Sequence, residues 1–180
     1  NSIFNYFNSD CVPEFPSIIS HSYKLQNELR YGENPHQKAA YYSSGNHSGW
    51  KQLSGKKLSY NNYLDMESAY SIISEFEDPG CCIVKHSNPC GFSLGINTID
   101  AFNSAIECDP ISYFGGIVSF NRAVDKELAK ILVTPFLECI IAPKFEKGAI
   151  HILSNKKNLR LVEYEEDFSL PSNLVRTSMN

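Results

Sequence analysis

An α/β fold with a mostly parallel sheet is predicted by two observations. Short apolar runs (CCIV, GIVSF, CIIA) alternate with stretches whose apolar residues recur at helical spacing, the pattern of strands joined by crossover helices. Proline, glycine and asparagine clusters punctuate the boundaries between them, as chain reversals require. A chain of 180 residues that is 42% hydrophobic has the material for one ordinary domain and its core.

The elements follow in order. Residues 1–21 contain Pro13 and Pro16 and no sustained period, so they read as a linker or as the tail of something upstream. Met66, Ala69, Tyr70, Ile73 and Phe76 predict a helix over 65–76, stopped by Pro79-Gly80. Cys81 to Val84 reads as a buried strand that ends in the turn Asn88-Pro89-Cys90-Gly91. Thr98 suits the N-cap of a helix carrying Ile99, Phe102 and Ile106, closed by Asp109-Pro110. Gly116 to Phe120 is the next strand, and Asp125 caps a helix with Leu128, Ile131 and Leu132 on one face. Cys139 to Ala142 is a strand, Phe145 to Leu153 a helix and Leu159 to Val162 a last strand. Open sheets of this kind hold ligands beyond the carboxyl ends of their strands. Chemistry is therefore sought in the loops that leave them.

Composition excludes several classes. Sixteen basic against twenty acidic side chains give a net charge of −4, which argues against a general nucleic-acid binder. No apolar stretch reaches the ~18–20 residues that span a bilayer, and no apolar core follows a basic segment in the first residues given. The expectation is a cytoplasmic chain without membrane or nucleic-acid partners. None of the six cysteines makes a C-x-x-C spacing, so they read as reduced and mostly buried thiols.

Three segments invite a functional reading. In Val84-Lys85-His86-Ser87-Asn88-Pro89 an apolar strand runs into two adjacent cation-capable side chains. They can share a cleft only where the strand ends and the backbone turns, which Asn-Pro would supply. A solvated strand end explains the same residues. Arg30-Tyr31-Gly32, followed by Asn34-Pro35, offers a guanidinium fork for phosphate or carboxylate beside a glycine that permits close backbone approach; an ordinary polar loop is the alternative. Tyr113-Phe114-Gly115-Gly116 suits a flat ligand and equally a plain turn. A zinc deaminase would need H-x-E and P-C-x-x-C. Here His86 is followed two on by Asn88, and Pro89-Cys90 by Gly91, Phe92 and Ser93, so the zinc ligands are missing. Cys90 as a nucleophile activated by Lys85 and His86 remains a minor option.

Taken together and in order, RYGENPHQ, GKKLSYNN, IVKHSNPCG, DPISYFGGIVSFNR and ECIIAP resemble the bifunctional purine biosynthesis family, which joins an IMP cyclohydrolase domain to an AICAR transformylase region. The resemblance covers residues 22–165 and implies a cytidine deaminase-like α-β-α layering without zinc. It implies that 1–21 is a linker or the end of the cyclohydrolase domain. Residues 22–165 would be the N-terminal half of the transformylase region, and 166–180 the start of the connection to its second half. It assigns catalysis to Lys85 and His86, and substrate binding to Arg30, Tyr31, Gly32, Asn62, Gly115 and Glu138. Ile111 and Phe114 fall on the folate side, and no metal is implied. Tyr113 departs from the small residue expected before Phe-Gly. The implied reaction is formyl transfer from 10-formyltetrahydrofolate to the amine of AICAR, in a homodimer whose active site lies at the subunit interface. These 180 residues alone would then be inactive. The rival expectation is a non-catalytic nucleotide-binding or assembly module that retains the fold.

Overall fold

The computed structural model describes residues 22–43 and 49–165. The expected terminal segments 1–21 and 166–180, with Cys11, lie outside the described residues. Strands β1 (Lys24–Glu28) and β2 (Ala40–Ser43) form a small antiparallel pair. The main sheet comprises β3 (Trp50–Ser54), β4 (Gly80–Lys85), β5 (Asn88–Leu94), β6 (Ile117–Phe120), β7 (Cys139–Ala142) and β8 (Arg160–Tyr164). Their spatial order is β3-β8-β7-β6-β4-β5. Among the described residues four helices connect them: α1 (Tyr60–Ile73), α2 (Thr98–Cys108), α3 (Lys126–Leu132) and α4 (Lys147–Leu153).

Alternation along the strands builds two cores. Cys81, Ile83, Val118, Phe120, Ile140 and Ala142 pack with buried residues of α2, α3 and α4. Their neighbours Cys82, Val84, Ile117, Cys139 and Ile141 pack with Met66, Ala69, Tyr70 and Ile73 of α1. The sheet is thus covered on both faces, giving three α-β-α layers. Each large side chain so buried contributes about 1.5–3 kcal/mol of transfer free energy.

The sheet is mixed, and the expectation of a mostly parallel one is corrected. Only β6–β7 and β7–β8 run parallel, whereas β3–β8, β4–β5 and β4–β6 are antiparallel. Two unexpected edge strands are the cause: β3, which pairs antiparallel with β8, and β5 at the opposite edge. Asn88 to Gly91, read from sequence as a turn, instead opens β5, which returns along β4 as a hairpin. The crossover through α2 therefore starts from β5 and passes over β4, so β6 lies antiparallel to β4. Pro89 fits because β5 is an edge strand, where no ladder N–H is needed on the outer side.

Helix boundaries moved for equally physical reasons. The helix expected over 65–76 starts at Tyr60, because Ser59 and Asn62 form a reciprocal capping box. It ends at Ile73, with Ser74 as its C-cap. Asn97, rather than Thr98, caps α2 through a 2.9 Å bond from the Asp100 N–H. Asp125 caps α3 as expected, accepting from the Leu128 N–H at 2.8 Å.

Candidate functional site

The antiparallel placement of β4 decides where the site lies. Residues at the carboxyl end of β4 meet those at the amino ends of β6, β7 and β8, because Val84 pairs with Ile117, Ile117 with Cys139, and Cys139 with Arg160. The carboxyl end of β3 joins the same edge, with Ser54 opposite Leu161. The edge that carries Lys85 and His86 therefore combines the carboxyl ends of β4 and β3 with the amino ends of β6, β7 and β8.

Backbone bonds stitch the edge together. The Glu138 N–H donates to Gly116 O at 3.1 Å, the Arg160 N–H to Glu138 O at 3.1 Å, and the Gly115 N–H to Phe136 O at 2.8 Å. The loop carrying Arg30 docks on the start of α1, with the Arg30 N–H on Leu58 O at 2.8 Å and the Tyr60 N–H on Tyr31 O at 3.1 Å. Gly32 sits in the tight turn closed by its N–H to Gln37 O, where a Cβ would stand 2.9 Å from Gln37 Cβ. The Arg30 guanidinium lies 5.4 Å from the ring centre of Tyr31, a cation–π contact.

A cleft of about 120 Å³ opens here, lined by Arg30, Lys56, Phe136, Glu138, Asn158 and Arg160 among others. Three cations face one carboxylate, so the cleft suits an anion. Glu138 is held from two sides. Asn62 Nδ2 donates to its Oε2 at 3.0 Å, and an Arg160 terminal nitrogen lies 3.6 Å from the same oxygen. Asn62 is only 4% exposed, and its Oδ1 accepts from the Ser59 N–H at 3.0 Å. One side chain thus caps α1 and fixes the cleft carboxylate. Arg160 is 5% exposed, and its Nε has no hydrogen-bond partner among the described residues.

Lys85 is half-buried at the end of β4 and donates from Nζ to Phe114 O at 2.9 Å. Gly115 adopts a φ of 74°, which an L side chain rarely takes. The Phe114 ring packs on that of Phe136 at 5.1 Å and remains 59% exposed. Asp109 shapes this loop, accepting from the N–H groups of Ile111 and Ser112 at 3.1 and 2.8 Å. The Ser112 bonds hold its carboxyl below the usual range. Ile111, 85% exposed, stands away from the cleft lining.

His86 is exposed, and its backbone is the turn. His86 and Ser87 have φ values of 53° and 61°, and Lys85 pairs with Asn88 across them. The reversal expected at Asn-Pro therefore falls two residues earlier. The Ser87 N–H donates to Asp65 Oδ1 at 2.6 Å. Asp65 itself is pushed up by burial, against the opposing pull of Ser87 and His86.

The structure thus brings Arg30, Asn62, Glu138, Lys85, Phe114 and Gly115 to one edge, with His86 at its rim. Sequence reasoning missed Lys56, Asp65 and Arg160. Lys56 lies inside a recognised segment, GKKLSYNN, yet nothing in its spacing distinguishes it from Lys57. Arg160 is a lone cation at a strand start, a position without a sequence signal. The Cys90 nucleophile finds no support: burial and Asp109 push its thiol up more than Lys85 pulls it down. Among the described residues no three His, Cys, Asp or Glu side chains gather as a metal set.

Comparison with known proteins adds a second line. A sequence model of the AICARFT/IMPCHase bienzyme family matches residues 1–179. The bifunctional purine biosynthesis protein PurH of Clostridium botulinum strain Hall is 51% identical over 157 residues, which is 85% of this chain and 32% of that protein. PurH of Fusobacterium nucleatum is 51% identical over 167 residues, or 91% of this chain and 33% of that one. The chain spans about a third of the length of these curated relatives. Among solved structures, Acinetobacter baumannii RibD (form 1) is 14% identical with a TM-score of 0.38, covering 57% of this chain and 34% of that one. That likeness is too slight to argue from.

Proposed function

The chain belongs to the AICARFT/IMPCHase bienzyme family, and from that premise we propose that it supplies one side of a formyltransferase active site. The reaction is transfer of a formyl group from 10-formyltetrahydrofolate to the amine of AICAR, giving FAICAR. We read 22–165 as the N-terminal half of the transformylase region and 1–21 as a linker or the end of the cyclohydrolase domain. Residues 166–180 begin the connection to the second half. In this reading the layering is cytidine deaminase-like, and the full-length protein also carries IMP cyclohydrolase activity. It works in the cytoplasm as a homodimer with its active site at the subunit interface, and these 180 residues alone are inactive.

One observation carries the reading. An anion-suited cleft holding Arg30, Glu138 and the Asn62 contact lies on the same edge as Lys85 and the Phe114-Gly115 loop. In the proposed mechanism Arg30 grips the nucleotide's phosphate while Glu138, aimed by Asn62 and Arg160, accepts hydrogen bonds from hydroxyl groups. Tyr31 and Gly32 shape the Arg30 loop, and Gly115 lets the backbone approach a flat ring. Phe114 and Ile111 offer apolar contact to the folate. The imidazole of His86, acting as general base, takes the proton from the attacking amine as the new C–N bond forms. Lys85 stabilises charge developing on the formyl oxygen and helps return a proton to the departing folate nitrogen as the old C–N bond breaks.

The test is a formyl-transfer assay on a full-length protein carrying these residues. His86→Ala and Lys85→Leu are each expected to lower kcat about a hundredfold or more, with a much smaller effect on nucleotide affinity, because general acids and bases act in the transition state. Near-normal turnover in either variant removes that residue from the mechanism. Nucleotide binding with no turnover in the unsubstituted protein would favour the non-catalytic module instead.

A further inference from the structure

Asp65, on the second turn of α1, faces the β4–β5 hairpin across the sheet edge. That hairpin is made the hard way. A two-residue turn with positive φ at both central positions normally takes Asn-Gly or a similar pair. Here the two residues are His86 and Ser87, with φ of 53° and 61° and no glycine to relieve the crowding. Backbone held in a sparsely populated region persists only where its surroundings over-determine it.

The surroundings in question are largely one carboxylate. Asp65 Oδ1 accepts from the Ser87 N–H at 2.6 Å, with the Ser87 hydroxyl at 3.5 Å. The backbone N–H of His86 and the His86 ring also favour the ionised Asp65 carboxyl. From the other side, Asn88 Nδ2 donates to His86 O at 2.8 Å. The charge-assisted bond is the short, strong one, and it arrives from a helix whose first turn also carries the Asn62 contact to Glu138. One helix end therefore holds both the cleft carboxylate and the turn that presents the imidazole.

We propose that Asp65 is a positioning residue for His86, clamping the strained His86–Ser87 turn so that the imidazole is held at the site. This rests on the formyl-transfer reading for its kinetic consequence, though not for the clamp itself. Asp65 acts on the reaction only through the turn, by its acceptor oxygen. An asparagine, which keeps that oxygen and loses the charge, should hold the turn in large part; an alanine should not.

The experiment compares Asp65→Ala and Asp65→Asn in the full-length protein by hydrogen–deuterium exchange and by kinetics. In the alanine variant, amides of the peptide covering 85–88 are expected to exchange at least tenfold faster, while peptides from β6 and β7 keep their protection. Its kcat should fall about tenfold or more with the nucleotide KM changed less than about threefold, and asparagine should restore most of both. Unchanged exchange at 85–88 in Asp65→Ala overturns the clamp whatever the turnover. So does faster exchange with kcat intact, since the imidazole would then not depend on the turn. If the alanine variant loses protection throughout, the asparagine variant decides: protected amides with normal kcat support the clamp, and protected amides with a tenfold loss overturn it in favour of a charge effect. Absence of formyl transfer in the unsubstituted protein overturns the proposed reaction instead, and exchange alone then decides the clamp.

Discussion

Arg30 and Arg160 line the same cleft, but their surroundings give them different tasks. Arg160 is almost wholly buried and lies against Glu138, so its charge is partly matched within the protein. Arg30 is exposed, stacks on Tyr31, and has no salt bridge among the described residues. Its fork is available to an incoming anion. Arg30→Ala is therefore expected to weaken binding of the nucleotide by about 1.5–3 kcal/mol, the range for a hydrogen bond to a charged group. Lysine should restore only part of this, since an ammonium cannot make the planar two-point contact. Titration calorimetry on the full-length protein checks both variants, and an unchanged affinity in Arg30→Ala would return the residue to the role of a polar loop. Lys85, Arg30, Asn62 and Glu138 were legible because they sit inside ordered motifs. Arg160 and Asp65 were not, because their importance comes from what the fold sets beside them.

Short elements were legible where burial dominates and obscure where it does not. The runs Cys81–Val84, Ile117–Phe120 and Cys139–Ala142 are buried throughout, and each is a strand. Such runs report coverage on both faces, which parallel sheets require but antiparallel strands can also have; that is why the sheet direction was misjudged. Strands β1, β3 and β5 carry exposed polar residues with no clean alternation, β2 is only four residues long, and nothing in β5 outweighs Pro89 or Gly91. Gly91 itself explains how β5 fits. A Cβ there would stand 2.2 Å from Ala105 O, part of the α2 backbone, so strand and helix meet at a distance only glycine allows. Gly91→Ala should force them apart and cost about 1–3 kcal/mol, as overpacking does. The urea midpoint of the purified chain measures this, and a shift too small to detect would mean that β5 does not approach α2 so closely.

Across the whole molecule, the ionisable groups in the two cores share one response to burial. Cys82, Tyr41 and Tyr63 are each pushed up to about 12, chiefly by burial. Cys81, Cys139 and Tyr164 are pushed up from the same main cause. In every case the folded chain holds its proton at a pH where the unfolded chain has released it. The unfolded state then binds fewer protons, so the slope of unfolding free energy against pH is negative. Stability from these groups is complete below a thiol's ordinary value of 9.0. It declines as tyrosines begin to titrate near 10.0 and is progressively lost up to about pH 12. Three of the six groups are thiols, so the loss should begin earlier than tyrosine alone would produce. The urea midpoint is expected to hold steady from pH 7 to 8.5 and to fall continuously between about pH 9 and 11, where carboxylates and histidines no longer titrate. Replacing Cys82 by alanine lowers the starting stability by opening a small cavity, but it should also flatten the first part of the decline, because one of the protons responsible is gone. A midpoint independent of pH over this range would mean that the thiols and phenols sit in far wetter surroundings than two closed cores provide.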